Sequence, residues 1–309
     1  AAVMSGMGSL AHGNDIAGSL RIPSTATGAC TVKPGLGRVP AYNPSQTQER
    51  GLIAQLMSVQ GVIAREIKDV RLGMQSLINY DPRDPWMVEM PFESKSISSP
   101  IKIGYTKETL GETLHPAVDK ALENAIEALK DAGYILEEIV LPEFQDASDF
   151  SAKTLFGELK ALHEKDYKTL GSDNFNLVAE NYFEIISPFE GEDLLLGMAK
   201  RSYFFREWNL FFRKYPLVLT PFLLYPTYEW NRDTQGLEGT KEVLAGMFYA
   251  HTMNYLGIPA GVVSANYNDG LPIGVQIISS RFREDIILKA CEEIEKRVGI
   301  MADKLFERG

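Results

Sequence analysis

The sequence predicts an α/β protein with a mixed, largely parallel twisted sheet covered by helices, and three observations carry that prediction. A strand pattern, a helix pattern and a second strand pattern follow one another between residues 101 and 141. A helical region rich in aromatic side chains spans residues 145–215. The last hundred or so residues return to alternating strand and helix patterns. Strands that alternate with helices form a layered sheet, and no internal repeat or linker divides the chain, so we expect a single domain over residues 1–309.

The central unit has the clearest pattern. Residues 101–105 (IKIGY) alternate as a strand does, Pro116 opens a helix that Gly133 ends, and residues 135–141 form a second strand. The apolar residues of that helix share one face: Val118, Leu122, Ile126 and Leu129. A strand, a helix and a strand within about forty residues predict two parallel strands joined by a right-handed crossover.

The N-terminal third is predicted from shorter patterns. Residues 1–11 read as a short buried helix, residues 30–34 as a strand, residues 43–51 as an exposed loop and residues 63–74 as an amphipathic helix. A chain that opens in the middle of a helix suggests a missing upstream piece. The C-terminal third predicts, in order, a strand at 216–221, a helix at 239–255, strands at 262–264 and 273–278 around the turn Asn268-Asp269-Gly270, and a helix at 284–298.

Composition excludes several classes of function. A formal charge of −10 argues against nucleic acid and against an anionic membrane surface as partners, because phosphates would repel the chain. No apolar run reaches the roughly 18 residues of a membrane span. The two cysteines favour a reducing, cytoplasmic environment over a disulfide framework. The four histidines lack zinc-type spacing with cysteine, so we expect neither a metal nor a cofactor.

The most informative stretch is GNDIAGSLRIP at residues 13–23. Small residues let backbone amides approach a bound group closely, and Ser19 at the end of the small run is a candidate nucleophile. Asp15 and Arg21 bracket it and could pair to hold the loop, although two solvated loop charges would give the same spacing. An ordinary glycine-containing turn is the alternative for the whole stretch. No GxSxG elbow and no phosphate-binding glycine motif occurs in the chain.

Taken with more distant blocks, this stretch resembles the amidase signature family. The matching blocks are residues 13–23, Gly28, residues 33–34 (KP), residues 37–38 (GR), residues 218–221, residues 254–260 and residues 270–277. Their order and spacing cover nearly the whole chain. The variant AHGNDIAGS at residues 11–19 is most similar to members that hydrolyse cyclic amides and nylon oligomers, and it is less similar to the glutamine-dependent tRNA amidotransferase.

The resemblance implies a mechanism for particular residues. The family uses a serine nucleophile, a second serine with a cis peptide bond and a lysine, and its oxyanion hole consists of backbone amides. The nucleophile corresponds to Ser19 and the oxyanion amides to Ile16, Ala17, Gly18 and Ser19. Asp15 and Arg21 then structure the loop. The implied activity is hydrolysis of a linear or cyclic carboxamide through an acyl-Ser19 intermediate, with a small-molecule substrate and, as in many such enzymes, a homodimer.

The chain departs from the family pattern at the proton relay. The bridging serine is expected about two dozen residues before Ser19, and the lysine further upstream, which places both before Ala1. Ser5 and Ser9 are too close to the nucleophile, and Lys33 follows it. Two hypotheses therefore stay open: the chain is the C-terminal portion of an amide hydrolase whose upstream segment carries the lysine and the cis-serine, or it is a non-catalytic amidase-like domain that binds a ligand or partner.

Overall fold

The computed structural model describes residues 1–94 and 97–307. In chain order the strands are β1 (Leu10–Asp15), β2 (Cys30–Lys33), β3 (Val59–Ala64), β4 (Lys102–Tyr105), β5 (Ile135–Glu138), β6 (Leu217–Pro221), β7 (Ala260–Asn268) and β8 (Leu271–Ser279). The helices are α1 (Arg21–Thr27), α2 (Leu52–Met57), α3 (Ile67–Leu77), α4 (Pro116–Asp131), α5 (Phe144–Leu170), α6 (Asp173–Ile186), α7 (Gly191–Phe212), α8 (Gly236–Ala245), α9 (Phe248–Leu256), α10 (Glu284–Val298) and α11 (Met301–Phe306). The predicted α/β class is confirmed.

All eight strands of the described residues join one mixed sheet in the order β1-β3-β2-β7-β8-β6-β4-β5. The predicted parallel pairing of β4 with β5 is confirmed, and β4 also pairs in parallel with β6. The other five pairings among the described strands are antiparallel, so the expectation of a largely parallel sheet is wrong. The hairpin of β7 and β8 shows the reason: Asp269 (φ 49°) and Gly270 (φ 85°) reverse the chain within two residues, and so tight a turn allows only antiparallel strands.

Helices cover both faces of the sheet. Side chains alternate along β6, where Leu217 and Leu219 join the core beneath α3, α4 and α10, and Val218 joins the core beneath α5, α7 and α9. The second core contains most of the aromatic residues that the sequence placed in residues 145–215, and that region is helical as predicted. The face that carries α5, α7 and α9 is therefore the aromatic face of the molecule.

The predicted helix over residues 1–11 is wrong. Residues 2–6 form turns, with the Ser5 amide donating to the Ala1 carbonyl at 2.9 Å, and β1 begins at Leu10. Gly6 has a φ of 81°, which does not fit a right-handed helix, and Met7 is 84% exposed, so the segment is not buried as a helix. Pairing of β1 with β3 overrides the helical spacing of the apolar residues.

Two other helix predictions need new boundaries. The helix predicted over residues 63–74 begins only at Ile67, because Ile63 lies in β3 between β1 and β2. The helix predicted over residues 239–255 is divided into α8 and α9 at Gly246. A Cβ on Gly246 would lie 2.5 Å from the Tyr228 hydroxyl oxygen, so the close approach of Tyr228 fits the break. No helix of the described residues is long and apolar enough to span a membrane.

Candidate active site

Residues 16–20, named the nucleophile loop after the role predicted for Ser19, join the end of β1 to the start of α1. Gly18 has a φ of 117°, and a Cβ there would lie 2.7 Å from Ile22 Cδ1 and 2.9 Å from Ala250 Cβ. Only glycine fits this backbone and this close approach of α9. The loop turns directly into the helix, because the Ile22 amide donates to the Gly18 carbonyl at 2.7 Å. Ser19 is exposed at the top of the turn.

A buried carboxylate holds the loop from beneath. Asp15 is 0% exposed, and its carboxylate accepts hydrogen bonds from the backbone amides of Gly18 at 2.7 Å and Leu20 at 3.2 Å. Arg21 donates to the same carboxylate through Nε at 3.0 Å and Nη2 at 3.1 Å. Burial by itself raises the pKa of Asp15, but the charge and hydrogen bonds of Arg21 outweigh it, so the net pKa is lowered. Asp15 is therefore an anion that structures the loop.

Arg21 connects the loop to the rest of the molecule. It is also 0% exposed, so the alternative of two solvated loop charges is excluded. Its Nη1 donates to Gln276 Oε1 at 2.8 Å, and its Nη2 donates to the Ala250 carbonyl at 2.9 Å and to Asn254 Oδ1. The guanidinium also lies over the ring of Phe222, 5.5 Å from the centroid. A buried arginine whose donors are satisfied in this way fixes α1 against α9 and β8.

Asn254 and Gln276 complete this buried polar cluster. Asn254 Nδ2 donates to the Asp15 carbonyl at 2.8 Å and to the Met57 carbonyl at 2.9 Å, and it lies 3.0 Å from Asp15 Oδ1. Gln276 Nε2 lies 3.4 Å from the Thr220 hydroxyl. The sequence indicated both residues only as members of distal matching blocks. Their contact with the loop became visible only in the fold, because the chain separates them from Asp15 by more than two hundred residues.

The four amides predicted for an oxyanion hole are not equivalent. The Gly18 amide donates to Asp15 and is not available to a ligand in this conformation. The amides of Ile16, Ala17 and Ser19 have no hydrogen bond to any of the described residues. Unpaired backbone amides beside an exposed serine are the feature that an oxyanion site requires.

Lys33 is buried near this cluster, at the end of β2. Its ammonium donates to the Pro34 carbonyl at 2.9 Å, and no hydrogen bond joins it to the nucleophile loop within the described residues. Burial and the nearby Arg21 lower its pKa to about 7, against the opposing influence of Asp15 and Glu284. The sequence set Lys33 aside as the relay lysine because it follows Ser19, and no sequence pattern had indicated its burial.

The histidines occupy two different environments. His12, seven residues before Ser19, is exposed on β1. His251 follows Ala250 on α9, and Ala250 packs against Gly18. Burial, followed by the charge of Arg21, lowers the pKa of His251 to about 4. His251 is therefore a neutral group near the loop.

Metal ligation has no candidate within residues 1–94 and 97–307, where no group of three or more His, Cys, Asp or Glu side chains is suitably placed. Cys30 and Cys291 are both free and buried. Burial raises the pKa of both thiols, so neither is a reactive thiolate. The side chains that the fold gathers near the exposed serine are those of the polar cluster just described.

Comparison with known proteins identifies the family that this strand, loop and helix represent. A family model described as Amidase matches residues 1–288. The chain belongs to the amidase family. The matched region includes β1, the nucleophile loop, α1 and the distal residues that bind Asp15 and Arg21.

Two curated relatives of this chain are named indoleacetamide hydrolase. The protein from Bradyrhizobium japonicum is 36% identical over 307 residues, which are 99% of this chain and 66% of the relative. The protein from Bradyrhizobium diazoefficiens is 37% identical over 307 residues and is covered to 59%. A glutamyl-tRNA(Gln) amidotransferase component from Methanosarcina mazei is more distant, at 25% identity over 327 residues.

Solved structures agree on the fold. The 6-aminohexanoate cyclic dimer hydrolase has a TM-score of 0.79 at 21% identity, with 96% of this chain and 66% of that chain covered. A bacterial aryl acylamidase has a TM-score of 0.72 at 22% identity, with 96% and 64% covered. At these identities the likeness shows the fold of this chain and nothing finer.

The chain thus spans about three fifths to two thirds of the length of the two curated relatives named indoleacetamide hydrolase. Because the matches take in nearly all of this chain, they give no support to the expectation that it is a C-terminal portion. The expected homodimer, the cytoplasmic location and the single-domain boundary stay predictions.

Proposed function

We propose that this chain carries the nucleophile and the oxyanion loop of a serine amide hydrolase. The observation that supports the proposal is the bonding of the Asp15 carboxylate to the amides of Gly18 and Leu20, one on each side of Ser19. That bonding holds Ser19 exposed at the top of a rigid turn. A fixed, exposed serine beside unpaired amides is a geometry suited to acyl transfer.

The proposed reaction is hydrolysis of a carboxamide in two steps. Ser19 Oγ attacks the carbonyl carbon, and the C–N bond breaks from the tetrahedral intermediate as the nitrogen leaves with a proton. Water then attacks the acyl-Ser19 ester and releases the carboxylic acid. The amides of Ile16, Ala17 and Ser19 are the donors proposed for the oxyanion, since the Gly18 amide already serves Asp15. The described residues place no lysine or histidine in hydrogen-bond contact with Ser19, so the proposal assigns the proton relay to none of them.

The substrate class proposed is the primary amide of an aromatic acetic acid, with indole-3-acetamide as the representative. Its support is the 36–37% identity, over 307 residues, to proteins named indoleacetamide hydrolase. Ile16 and Ala17 pack against the aromatic core of α5, α7 and α9, so an apolar acyl group would lie against apolar surroundings. The motif alone predicted a cyclic amide as substrate, and only likeness of fold to a cyclic amide hydrolase supports that alternative.

The test is covalent labelling with a fluorophosphonate, followed by mass spectrometry and by measurement of ammonia released from indole-3-acetamide. The preparation includes any residues that precede Ala1 in the native polypeptide. Labelling is expected at Ser19 and is expected to be lost in Ser19→Ala. Ser9→Ala, which changes an exposed serine outside the loop, is the matched control and keeps full labelling.

Two results would overturn the proposal. Labelling that survives Ser19→Ala would show that another residue is the nucleophile. A folded wild-type protein that neither labels nor releases ammonia, yet binds the amide in a calorimetric titration, would establish the non-catalytic binding domain instead.

A further inference from the structure

His251 and Ser151 form a hydrogen-bonded pair between α9 and α5. Ser151 is 0% exposed, and its hydroxyl donates to the His251 carbonyl at 2.9 Å. The same hydroxyl oxygen lies 3.1 Å from His251 Nδ1. A serine has one proton to donate, and here the backbone carbonyl takes it. With the hydroxyl proton on that carbonyl, the hydroxyl oxygen accepts from Nδ1, and the imidazole proton is assigned to Nδ1.

This arrangement determines the state of the other ring nitrogen. Burial and Arg21 keep the pKa of His251 at about 4, so the ring is neutral at pH 7 and holds one proton. With that proton on Nδ1, Nε2 carries no proton and can only accept a hydrogen bond. Nε2 has no hydrogen bond within the described residues, and the side chain is only half-buried. The pair therefore presents an unoccupied acceptor whose orientation Ser151 fixes.

The position of His251 relative to the nucleophile loop follows from its neighbours on α9. Ala250, the preceding residue, lies close to Gly18, and Asn254, one helical turn further, donates to Asp15. Residues three apart lie on the same side of a helix, so His251 and Asn254 share a flank of α9. Ser151 belongs to α5, and α5 contributes to the apolar cluster on which Ile16 and Ala17 pack.

We propose that His251 Nε2 is the polar recognition point for the acyl group, where it accepts a hydrogen bond from an N–H of the substrate. The inference rests on the proposed amidase function and deepens it: the preferred substrates are carboxamides whose acyl group carries a donor, such as the indole N–H. A site with a fixed acceptor disfavours an analogue that lacks the donor, because the acceptor is then desolvated without a partner.

The experiment compares kcat/KM for two nearly isosteric amides, indole-3-acetamide and benzothiophene-3-acetamide, where sulfur replaces the N–H. The native polypeptide is compared with His251→Phe, His251→Gln, Ser151→Ala and the control His163→Gln, which changes a histidine of α5 whose side chain is 40% exposed. The wild-type preference for the indole is expected to fall about tenfold in His251→Phe, the effect of one lost hydrogen bond in a partly buried site. His251→Gln, which keeps an oxygen acceptor, retains part of the preference. His163→Gln retains all of it.

Ser151→Ala keeps the imidazole but frees its orientation, so it is expected to reduce the preference without removing it. It also keeps the inference testable if His251→Phe does not fold. Equal losses for both amides in His251→Phe and Ser151→Ala would mean that the pair only joins two helices, and the inference would be wrong. The inference would also be wrong if no variant changed the ratio of kcat/KM between the two amides. Hydrolysis that persists in Ser19→Ala would overturn the proposed function itself, which separates the two failures.

Discussion

Two buried ion pairs lie within the region that the family model matches, and they hold different loops. Asp15 and Arg21 meet at 3.0 Å with both side chains 0% exposed, and Arg38 and Glu284 meet at 3.0 Å with side chains 1% and 0% exposed. In each pair the carboxylate also accepts a backbone amide from a glycine loop. For Asp15 that amide belongs to Gly18.

The pair of Arg38 and Glu284 holds the loop that follows β2 against α10. Glu284, at the start of α10, accepts from the Gly35 amide at 2.9 Å, and Arg38 Nη1 donates to the carbonyls of Met90 and Pro91 at 3.0 and 3.1 Å. The guanidinium of Arg38 packs over the ring of Phe282 at 4.9 Å. Its Nη2 is buried without a hydrogen-bond partner among the described residues. These contacts join the loop that follows β2 to α10, and the residues that they hold, 35–38, include no serine.

The difference between the pairs lies in what each loop presents. The Asp15 pair binds the amides on both sides of one residue and so holds Ser19 outward, whereas the Arg38 pair binds a loop that faces other backbone. A buried ion pair is therefore no sign of a catalytic site by itself, since the desolvation of two charges offsets much of their attraction in either place. The exposed residue between the bonded amides distinguishes the two.

Asp15→Asn is expected to have the largest effect, because it damages both stability and chemistry. The substitution leaves the Arg21 guanidinium buried without a counter-charge and turns an amide donor toward the Gly18 or Leu20 amide. The free energy of unfolding is expected to fall by about 3–5 kcal/mol, and fluorophosphonate labelling of Ser19 by about a hundredfold in the folded fraction. Urea unfolding and labelling rates measure the two effects. Asp131→Asn, on an exposed aspartate, is the control and changes neither.

Arg38→Met is expected to cost nearly as much stability, about 3 kcal/mol, because Glu284 loses its partner inside the protein. Ser19 labelling per folded molecule is expected to stay at the wild-type rate, since this pair does not bond to the nucleophile loop. Urea unfolding and the rate of Ser19 labelling test these two expectations. A labelling rate that falls as far as in Asp15→Asn would remove the distinction between the pairs.

Lys33→Met is expected to change the pH dependence of stability. The folded pKa of Lys33 is about 7 against an ordinary value of 10.5, so between these values the unfolded chain binds more protons than the folded one. Stability due to Lys33 therefore rises with pH in this window, by up to about 1.4 kcal/mol per pH unit, and is constant below it. Relative to the wild type, Lys33→Met should lose this rise in urea unfolding at pH 6, 7.5 and 9. Lys289→Met, on an exposed lysine, should keep it; identical pH profiles for the wild type and Lys33→Met would contradict the prediction.

The smallest effect is expected from an exposed pair. Arg297 Nη1 lies 2.7 Å from Asp131 Oδ2, but both side chains are more than half exposed. A double-mutant cycle of Arg297→Ala and Asp131→Ala should give a coupling free energy below about 1 kcal/mol, since water and salt screen the charges. A coupling as large as the losses at the buried pairs would show that burial does not separate these interactions.

Local patterns were enough to predict several elements. Structure is specified within a few residues by the apolar face of α4, by Pro116 at its start and by the Asp269-Gly270 turn. These elements could therefore be predicted without knowledge of distant contacts. The spacing of Asp15 and Arg21 around Ser19 similarly allowed their pairing to be stated as one of two alternatives. The family resemblance came from the same loop with the distal blocks, and the family model supports it.

Tertiary structure decided the rest, because it brings together residues that the sequence separates. Burial of Asp15 and Arg21 depends on Asn254 and Gln276, and the use of the Gly18 amide depends on where the Asp15 carboxylate lies. The opening segment became turns and an edge strand because β3 was available to pair with it. The contacts from which the tautomer of His251 is assigned come from Ser151, a hundred residues earlier. The sequence by itself thus determined the chemical groups and the local turns, whereas packing determined which of those groups are charged, paired or left open to a ligand.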